Sequence, residues 1–277
     1  ELSFFDSKGV WIKRPRHAAR ARTGRPPISV RWVDVNKGDD VNPNYRSRWV
    51  ARELKAMDTS NDSYFAPAPP LEALRAVPSP AMTRIGKHVP VWDLLAKEST
   101  QISFIDVKRA YFHAKSAREL YVDIPKEHPE RTPDVLGRLR LALYGTRDSA
   151  MLWQECVAVH LLSIGFRRGK SNPCVYYNKE RKLRTLVHGD DYASVGSLAN
   201  LRWLKGQLEA TFEMKSVICG HSDETDVVRE AKILNRIIRA SPEGWEYECD
   251  QRHAEIMIEA MGLEQTEGDH PSGRGIP

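Results

Sequence analysis

No run of 18 consecutive apolar residues occurs in this chain, so none of it reads as a membrane-crossing helix. Its four cysteines, Cys156, Cys174, Cys219 and Cys249, are widely separated and form no CxxC pair. A disulfide-stapled secreted scaffold and an ordinary zinc site are therefore both disfavoured. Cys219 and His221 are close in sequence, but nothing supplies a second pair, and simple burial or a surface position suits the cysteines better. There is no internal repeat. The start, ELSFFDSKGVW, has neither a methionine nor the basic-then-apolar order of a signal peptide. A fragment or a piece of a longer polyprotein, in an intracellular setting, is the expectation.

What is present suits a folded protein. The 277 residues are 41% hydrophobic and 29% charged, enough to bury a substantial core, while 17 Pro and 17 Gly imply several irregular connections. Lys plus Arg number 42 against 37 Asp plus Glu, a surplus of +5 that alone says little about partners. Its distribution says more. KRPRHAARARTGRPP and NYRSRWVARE make the first 52 residues much more basic than the whole. They read either as a solvated tail or as a surface that meets phosphates. Tyr45, Trp49 and Val50 punctuate the second run and favour a structured segment.

Residues 28–35 and 45–54 read as a basic hairpin across the turn-rich NKGDDVNPN. A Pro-rich stretch at 58–70 follows, then a short helix, PLEALRAV, that Pro78 must end, and a helix at 90–99. Segment 102–107 is an apolar run of the kind that builds a buried strand, and 135–141 is a further short strand. Residues 149–164 carry the strongest helical pattern, with Leu152, Cys156 and Val159 on one face, Trp153, Val157 and Leu161 broadening it, and Gly165 closing it. Strands follow at 174–178, 183–188 and 192–195, then a helix at 200–212, a mixed segment at 227–240, a strand at 245–249 and a helix at 251–261. The order is mixed α/β, with acids on the sheet.

Those acids are Asp106, at the end of SFIDVKRAYF, and the pair Asp190–Asp191 in VHGDDYASVG. Strand ends can gather carboxylates that the chain keeps far apart, and divalent cations turn their repulsion into a binding site. In two-metal nucleotidyl transfer the ions lie about 3.5–4 Å apart, one lowering the pKa of an attacking 3′-hydroxyl and the other stabilising departing pyrophosphate. Aspartates suit magnesium better than thiolates would. Asp106 and Asp190 are the best bridging candidates, with Asp191 adjacent. The bland alternative for the pair is a polar hairpin turn. Tyr111 could lie against a sugar or simply pack in a core. Arg46, Arg48 and Arg52 could neutralise a triphosphate or template phosphates, or merely be exposed.

An ordered set of motifs adds to this: RWVDVNKGD, NYRSRWVARE, YFAPAPPLEALRA, FIDVKRAYFHA, ELYVDIP, GRLRLALYGTRDSAMLWQE, GFRRGKSNPCVYYN, LVHGDDYASVG and LEATFEMKS. Across residues 28–218 the chain resembles the reverse transcriptase domain of copia-type long-terminal-repeat retrotransposons. The resemblance implies an α/β (α+β) right-hand polymerase with its carboxylates on a palm sheet. It divides the chain into a basic extension (1–27), a fingers-like region (28–100), a palm (101–218) and a partial thumb- or connection-like region (219–277). It further implies primer extension with dNTPs on RNA or DNA templates, using Mg2+ or Mn2+, within a parent polyprotein, no membrane partner and an intracellular retroelement particle. Asp106 matches the first catalytic and metal-binding acid, Asp190 and Asp191 the metal-binding pair, Tyr111 the aromatic that screens the sugar at C2′, and Arg48 and Arg52 the basic fingers strand.

The sequence also departs from that pattern. Where the family has a segment close to YGLKQAPRxW, this chain has YGTRDSAMLW, placing Asp148 at the glutamine position and Ala150 at the proline position. An acid there repels phosphate unless it is paired or turned away. His188 and Gly189 replace the first two residues of YVDD. The continuation expected after Lys215, close to MKDLGxLxxFLG, is hard to recognise in MKSVICGHSDETD. No protease, integrase or RNase H unit is evident. Two other functions compete with a polymerase: a catalytically decayed nucleic-acid-binding remnant, and a metal-dependent nuclease.

Overall fold

The computed structural model describes residues 1–38, 41–54, 63–82, 100–234, 236–241, 244–248 and 251–263. The helix anticipated at 90–99, residues 58–62 and Cys249 lie outside the described residues. In chain order the elements are α1 (Leu2–Lys8), β1 (Trp11–Pro15), α2 (Arg16–Thr23), β2 (Val30–Asn36), β3 (Tyr45–Ala51), α3 (Leu71–Ala76), α4 (Ser79–Met82) and β4 (Thr100–Val107). A 3-10 turn (Ala110–His113) leads to β5 (Tyr121–Asp123), β6 (Val135–Leu139), α5 (Ser149–Ser163), β7 (Arg167–Arg168), β8 (Val175–Asn178), β9 (Leu183–His188) and β10 (Asp191–Ser197). Then come α6 (Leu198–Glu209), β11 (Met214–Cys219), β12 (Val227–Val228), β13 (Glu230–Ile233), β14 (Arg236–Ser241), β15 (Gly244–Glu248) and α7 (Gln251–Ala260).

A seven-stranded sheet in the order β12-β11-β4-β10-β9-β8-β7 forms the centre. Its strands β4 and β10 are apolar on both sides because both faces are covered. Alternation sends Ile105, Val107 and Tyr192 to one face, against Trp153, Val157 and Leu161 of α5 and Leu201, Leu204 and Leu208 of α6. Ile102, Phe104, Ala193 and Val195 go to the other face, against Ala81 of α4 and Ile233 and Ile238 of the β13–β14 ladder. The segment at 227–240 thus holds β12, β13 and most of β14.

Helix α5 turns inward the part of its anticipated apolar surface that Trp153, Val157 and Leu161 broaden, with Cys156 packed at its edge. Trp153, Val157, Ala158 and Leu161 are buried, whereas Val159 is 57% exposed. Both apolar stripes satisfy helical periodicity; the bulk of Trp153 and its partners below the sheet decide between them. Gly165, at φ 88°, ends the helix while the Phe166 N–H bonds back to the Leu161 carbonyl, a Schellman closure.

The first 27 residues are folded onto a second sheet, β1-β6-β5. Phe5 of α1 is fully buried and meets Trp11, Trp49 and Phe112 with ring centroids 4.9–5.5 Å apart. This aromatic core ties α1, β1, β3 and the turn after β4 together. Described cysteines Cys156, Cys174 and Cys219 are free thiols, the latter two buried. Among the described residues no helix is long and apolar enough to cross a membrane.

Hairpin β2–β3 docks through its far end. The Ala51 N–H bonds the Tyr144 carbonyl and the Glu53 N–H bonds the Gly145 carbonyl. Gly145 has φ 84°, and a Cβ there would stand 2.0 Å from the Ala51 carbonyl oxygen, so only glycine permits this approach. Just beyond, the Arg118 guanidinium donates to both oxygens of Asp148 (2.7 Å each) and to both of Glu53 (2.7 and 2.9 Å). Asp148 stands at the N-cap of α5, yet its carboxylate makes no capping bond, because Arg118 holds it. At 1% exposure it faces no solvent, and the repulsion of phosphate anticipated from sequence is absorbed by this pairing. The two carboxylates raise the Arg118 pKa further. Removing the guanidinium strands two shielded acids, so Arg118→Met should cost about 3–5 kcal/mol in denaturant unfolding. Adding Glu53→Gln and Asp148→Asn should recover much of that loss, while a cost below about 1 kcal/mol for the single variant would contradict the pairing's role.

Candidate active site

Asp106 ends the buried run of β4 and Asp191 opens β10, and the antiparallel register sets them directly opposite each other. The neighbouring Val107 N–H bonds the Asp190 carbonyl at 2.9 Å. Asp106 and Asp191 consequently occupy a non-hydrogen-bonded pair, the site where opposed Cα atoms approach to about 4.5 Å and side chains crowd most. The row continues to Lys215 on the far side of Asp106 and to His188 on the far side of Asp191. All four residues share one face of the sheet by alternation, opposite the face that α5 and α6 cover.

Asp190 reaches the same place through a tight turn. His188 and Asp191 are paired, leaving Gly189–Asp190 as a two-residue hairpin loop. Gly189 has φ 64° and Asp190 is not in the left-handed region, the pattern of a II′ turn with glycine first. The bend at Gly189 leaves Asp190 close enough to raise the Asp191 carboxyl even though strand alternation alone would separate the two side chains. The turn is held from the helix side: the buried Trp153 indole N–H donates to the Gly189 carbonyl at 2.8 Å.

Electrostatics follow from this crowding. Burial, then Asp190, then Asp106 push the Asp191 carboxyl up to about 6. The donor set is hard carboxylate oxygen, which fits Mg2+ or Mn2+ in kind. Among the described residues no three His, Cys, Asp or Glu side chains already converge to hold a metal ion. The arrangement is an opposed pair with a neighbour, not a closed cage.

An aromatic and cationic wall adjoins the acids. After β4, Arg109 adopts the left-handed region at φ 49°, ψ 46°, its guanidinium 4.1 Å from the Phe4 ring centroid. This strained residue turns the chain so that Phe112 enters the aromatic core and Tyr111 lies against Tyr144, ring centroids 4.6 Å apart. The Arg48 guanidinium sits 5.0 Å from the Tyr144 ring centroid. Burial raises the Tyr111 pKa, Asp190 adds to the rise and Arg48 opposes it. Tyr144 is pushed up to about 12, mainly by burial, with Arg48 again opposing and Asp190 adding. Asp106, Asp190, Asp191, Tyr111 and Arg48 thus belong to one constellation. Arg52 does not share the Tyr144 stack; it follows the end of β3 and lines a separate groove with Thr23, Ser29 and Tyr121.

Sequence reasoning gave no site role to Tyr144 or Trp153. Both sat within the recognised YGTRDSAMLW segment, and an aromatic next to an obligatory glycine was the available signal. Lys215 carried none.

The raised Asp191 carboxyl makes stability pH-dependent with a definite sign. The folded group keeps its proton to about 6, whereas an unfolded one releases it near 3.8, so between these values the folded state binds more protons. Stability contributed by this residue therefore falls as pH rises through that window. In chelator, Asp191→Asn should remove the fall, measured as thermal midpoints of the two proteins diverging between about pH 4 and 6.5 in favour of the variant. Parallel curves would refute the assignment.

Comparison with known proteins bears on this geometry. A family profile described as "Reverse transcriptase (RNA-dependent DNA polymerase)" matches residues 19–223. The chain is 25% identical over 210 residues to the retrovirus-related Pol polyprotein from transposon TNT 1-94 of Nicotiana tabacum, covering 70% of this chain and 14% of that protein. It is 26% identical over 205 residues to the corresponding polyprotein from transposon RE2 of Arabidopsis thaliana, covering 69% and 13%. With the transposon Ty1-DR4 Gag-Pol polyprotein of Saccharomyces cerevisiae it shares 28% identity over 124 residues, 44% of this chain and 8% of that one. The matches thus span about a seventh or less of these relatives' length. The chain belongs to the reverse transcriptase (RNA-dependent DNA polymerase) family, as a copia-type domain of the kind found in retrotransposon Pol polyproteins.

Proposed function

We propose that this chain is the polymerase domain of a retroelement polyprotein, with a right-hand palm built on the seven-stranded sheet and fingers on the β2–β3 hairpin. Its reaction is the extension of a primer on an RNA or DNA template with deoxynucleoside triphosphates. The observation that carries the reading is the opposition of Asp106 and Asp191 across β4 and β10, with Asp190 in the adjoining turn.

Asp106, Asp190 and Asp191 would hold Mg2+ or Mn2+. Bound there, such cations supply the charge that activates a primer 3′-hydroxyl and stabilises departing pyrophosphate. The chain's own side chains do the rest. Tyr111 presents its ring where a 2′-hydroxyl would clash, and Tyr144 backs that ring. Arg48, held over Tyr144, meets the triphosphate's negative charge as a planar cation. Trp153 keeps the Gly189 carbonyl fixed, so the turn presents Asp190 in one orientation. The sequestered Asp148 leaves triphosphate handling free of the repulsion its position suggests.

One observation favours a second reading, a nucleic-acid-binding domain without turnover: among the described residues no three potential ligands converge ready for a metal. The two readings separate in a single assay. On a primed RNA template with Mg2+ or Mn2+, the chain should incorporate dNTPs, and Asp190→Asn should lose roughly 100-fold or more of that rate while retaining fold and template-primer binding. Binding without incorporation at any metal concentration would leave only the second reading, and primer loss without dNTP-dependent extension would point to a nuclease. Within an active protein, Tyr111→Ala should relax discrimination against ribonucleotides. Tyr144→Ala should do so as well, whereas Tyr144→Phe, which keeps the ring, should not. Unchanged sugar selectivity in both alanine variants would reject the aromatic wall.

A further inference from the structure

Away from the carboxylates lies a strongly basic surface. Residues 11–31 contain no Asp or Glu. Helix α2, within this stretch, lies on the outer face of the β1-β6-β5 sheet. Strand register puts Arg14 opposite Leu136 and Tyr121 opposite Arg138. Leu136 and Tyr121 are the residues on which Ala19 of α2 packs. Trp11, Val122 and Leu139 point the other way, into the aromatic core that carries Phe112. Helix α2 and its arginines therefore occupy the side of this sheet opposite the aromatic core.

Neighbouring acids neutralise only part of this charge. Lys13 pairs with Glu130, Arg16 with Asp123 and Arg22 with Glu119. Arg14 and Arg20 are exposed and make no ion pair among the described residues. Beneath α2 runs an open groove of about 680 Å³ lined by Arg16, His17, Arg20, Arg25 and the single acid Asp134. Arg16 is braced in it by bonds from Nε to the Pro133 carbonyl (2.9 Å) and from a terminal nitrogen to Asp123 (2.7 Å). Arg14 and Arg20 are arginines, whose planar forks suit phosphate oxygens better than a lysine's point charge. A groove with basic walls suits a strand laid along it.

We infer that the α2 groove, with Arg14, Arg20 and Arg25, is a second nucleic-acid contact that grips the phosphodiester backbone of a template-primer without reading its bases. This rests on the polymerase reading only for the identity of the nucleic acid. It goes beyond that reading in its location, since the groove lies on the side of the β1-β6-β5 sheet opposite the aromatic core, and Arg14 precedes the matched family span.

Salt dependence tests the inference, because each phosphate contact contributes about 0.7–0.9 to the slope of log affinity against log salt. The full chain is compared with Arg20→Ser/Arg25→Ser and with Arg14→Ser/Arg20→Ser, folding being checked by thermal unfolding. On a long template-primer each double variant should bind more weakly and lose about 1.4–1.8 from the slope. Asp190→Asn should leave the slope unchanged while abolishing extension. A protein that never extends primers but still shows the arginine-dependent slope would sink the polymerase reading and leave this one standing. An unaltered slope in both double variants overturns it, as does arginine-dependent binding to anionic phosphatidylserine vesicles with no change on nucleic acid.

Discussion

Two carboxylates face each other where an antiparallel ladder brings side chains closest. Like charges opposed across strands destabilise a sheet, and here the partial burial of Asp191 compounds the cost. Nothing in the packing of β4 and β10 requires acids at residues 106 and 191; apolar or hydroxyl residues fill every other opposed position along the pair, apart from Gln101 opposite Gly196. The sheet bears this cost at one end only, on the face opposite α5 and α6. Concentrated negative charge at a strand end has a chemical use when cations and phosphates meet there, and most of the surrounding structure fixes where that charge sits.

Three devices do this. Trp153 reaches through the helix-covered face to hold the Gly189 carbonyl, so the position of α5 sets the position of the acidic turn. Arg109 accepts a left-handed backbone so that consecutive aromatics point to different jobs, Phe112 inward and Tyr111 toward Tyr144. The Glu53–Arg118–Asp148 group joins the exit of β3 to the head of α5, and with the glycine approach at residue 145 it holds Arg48 over Tyr144. Each device couples a local backbone requirement to a long-range contact.

This division explains what could be read from the chain. The acids, the hairpin partners 28–35 and 45–54 and the strand around Asp106 were legible, because alternation, turn chemistry and charge are local signals. The pairing of Asp148 with Arg118 was not: an acid at a motif position says nothing about an arginine 30 residues earlier until the fold joins them. On α5, both Leu152–Cys156–Val159 and Trp153–Val157–Leu161 satisfy helical spacing, and only the sheet beneath selects the second. Likewise, the N-terminal arginines could be read as a solvated tail or as a working surface. Phe5, buried among Trp11, Trp49 and Phe112, is what anchors that segment.

The central claim is that the sheet concentrates negative charge at Asp191 for cations to neutralise. Carbon-13 labelling of the aspartate carboxyls, with Asp191→Asn to assign the resonance, measures it directly. In metal-free protein the Asp191 carboxyl should titrate with a midpoint near 6, and saturating Mg2+ should drive that midpoint down toward the ordinary carboxylate range. A resonance that titrates near 4 and ignores Mg2+ would contradict the account.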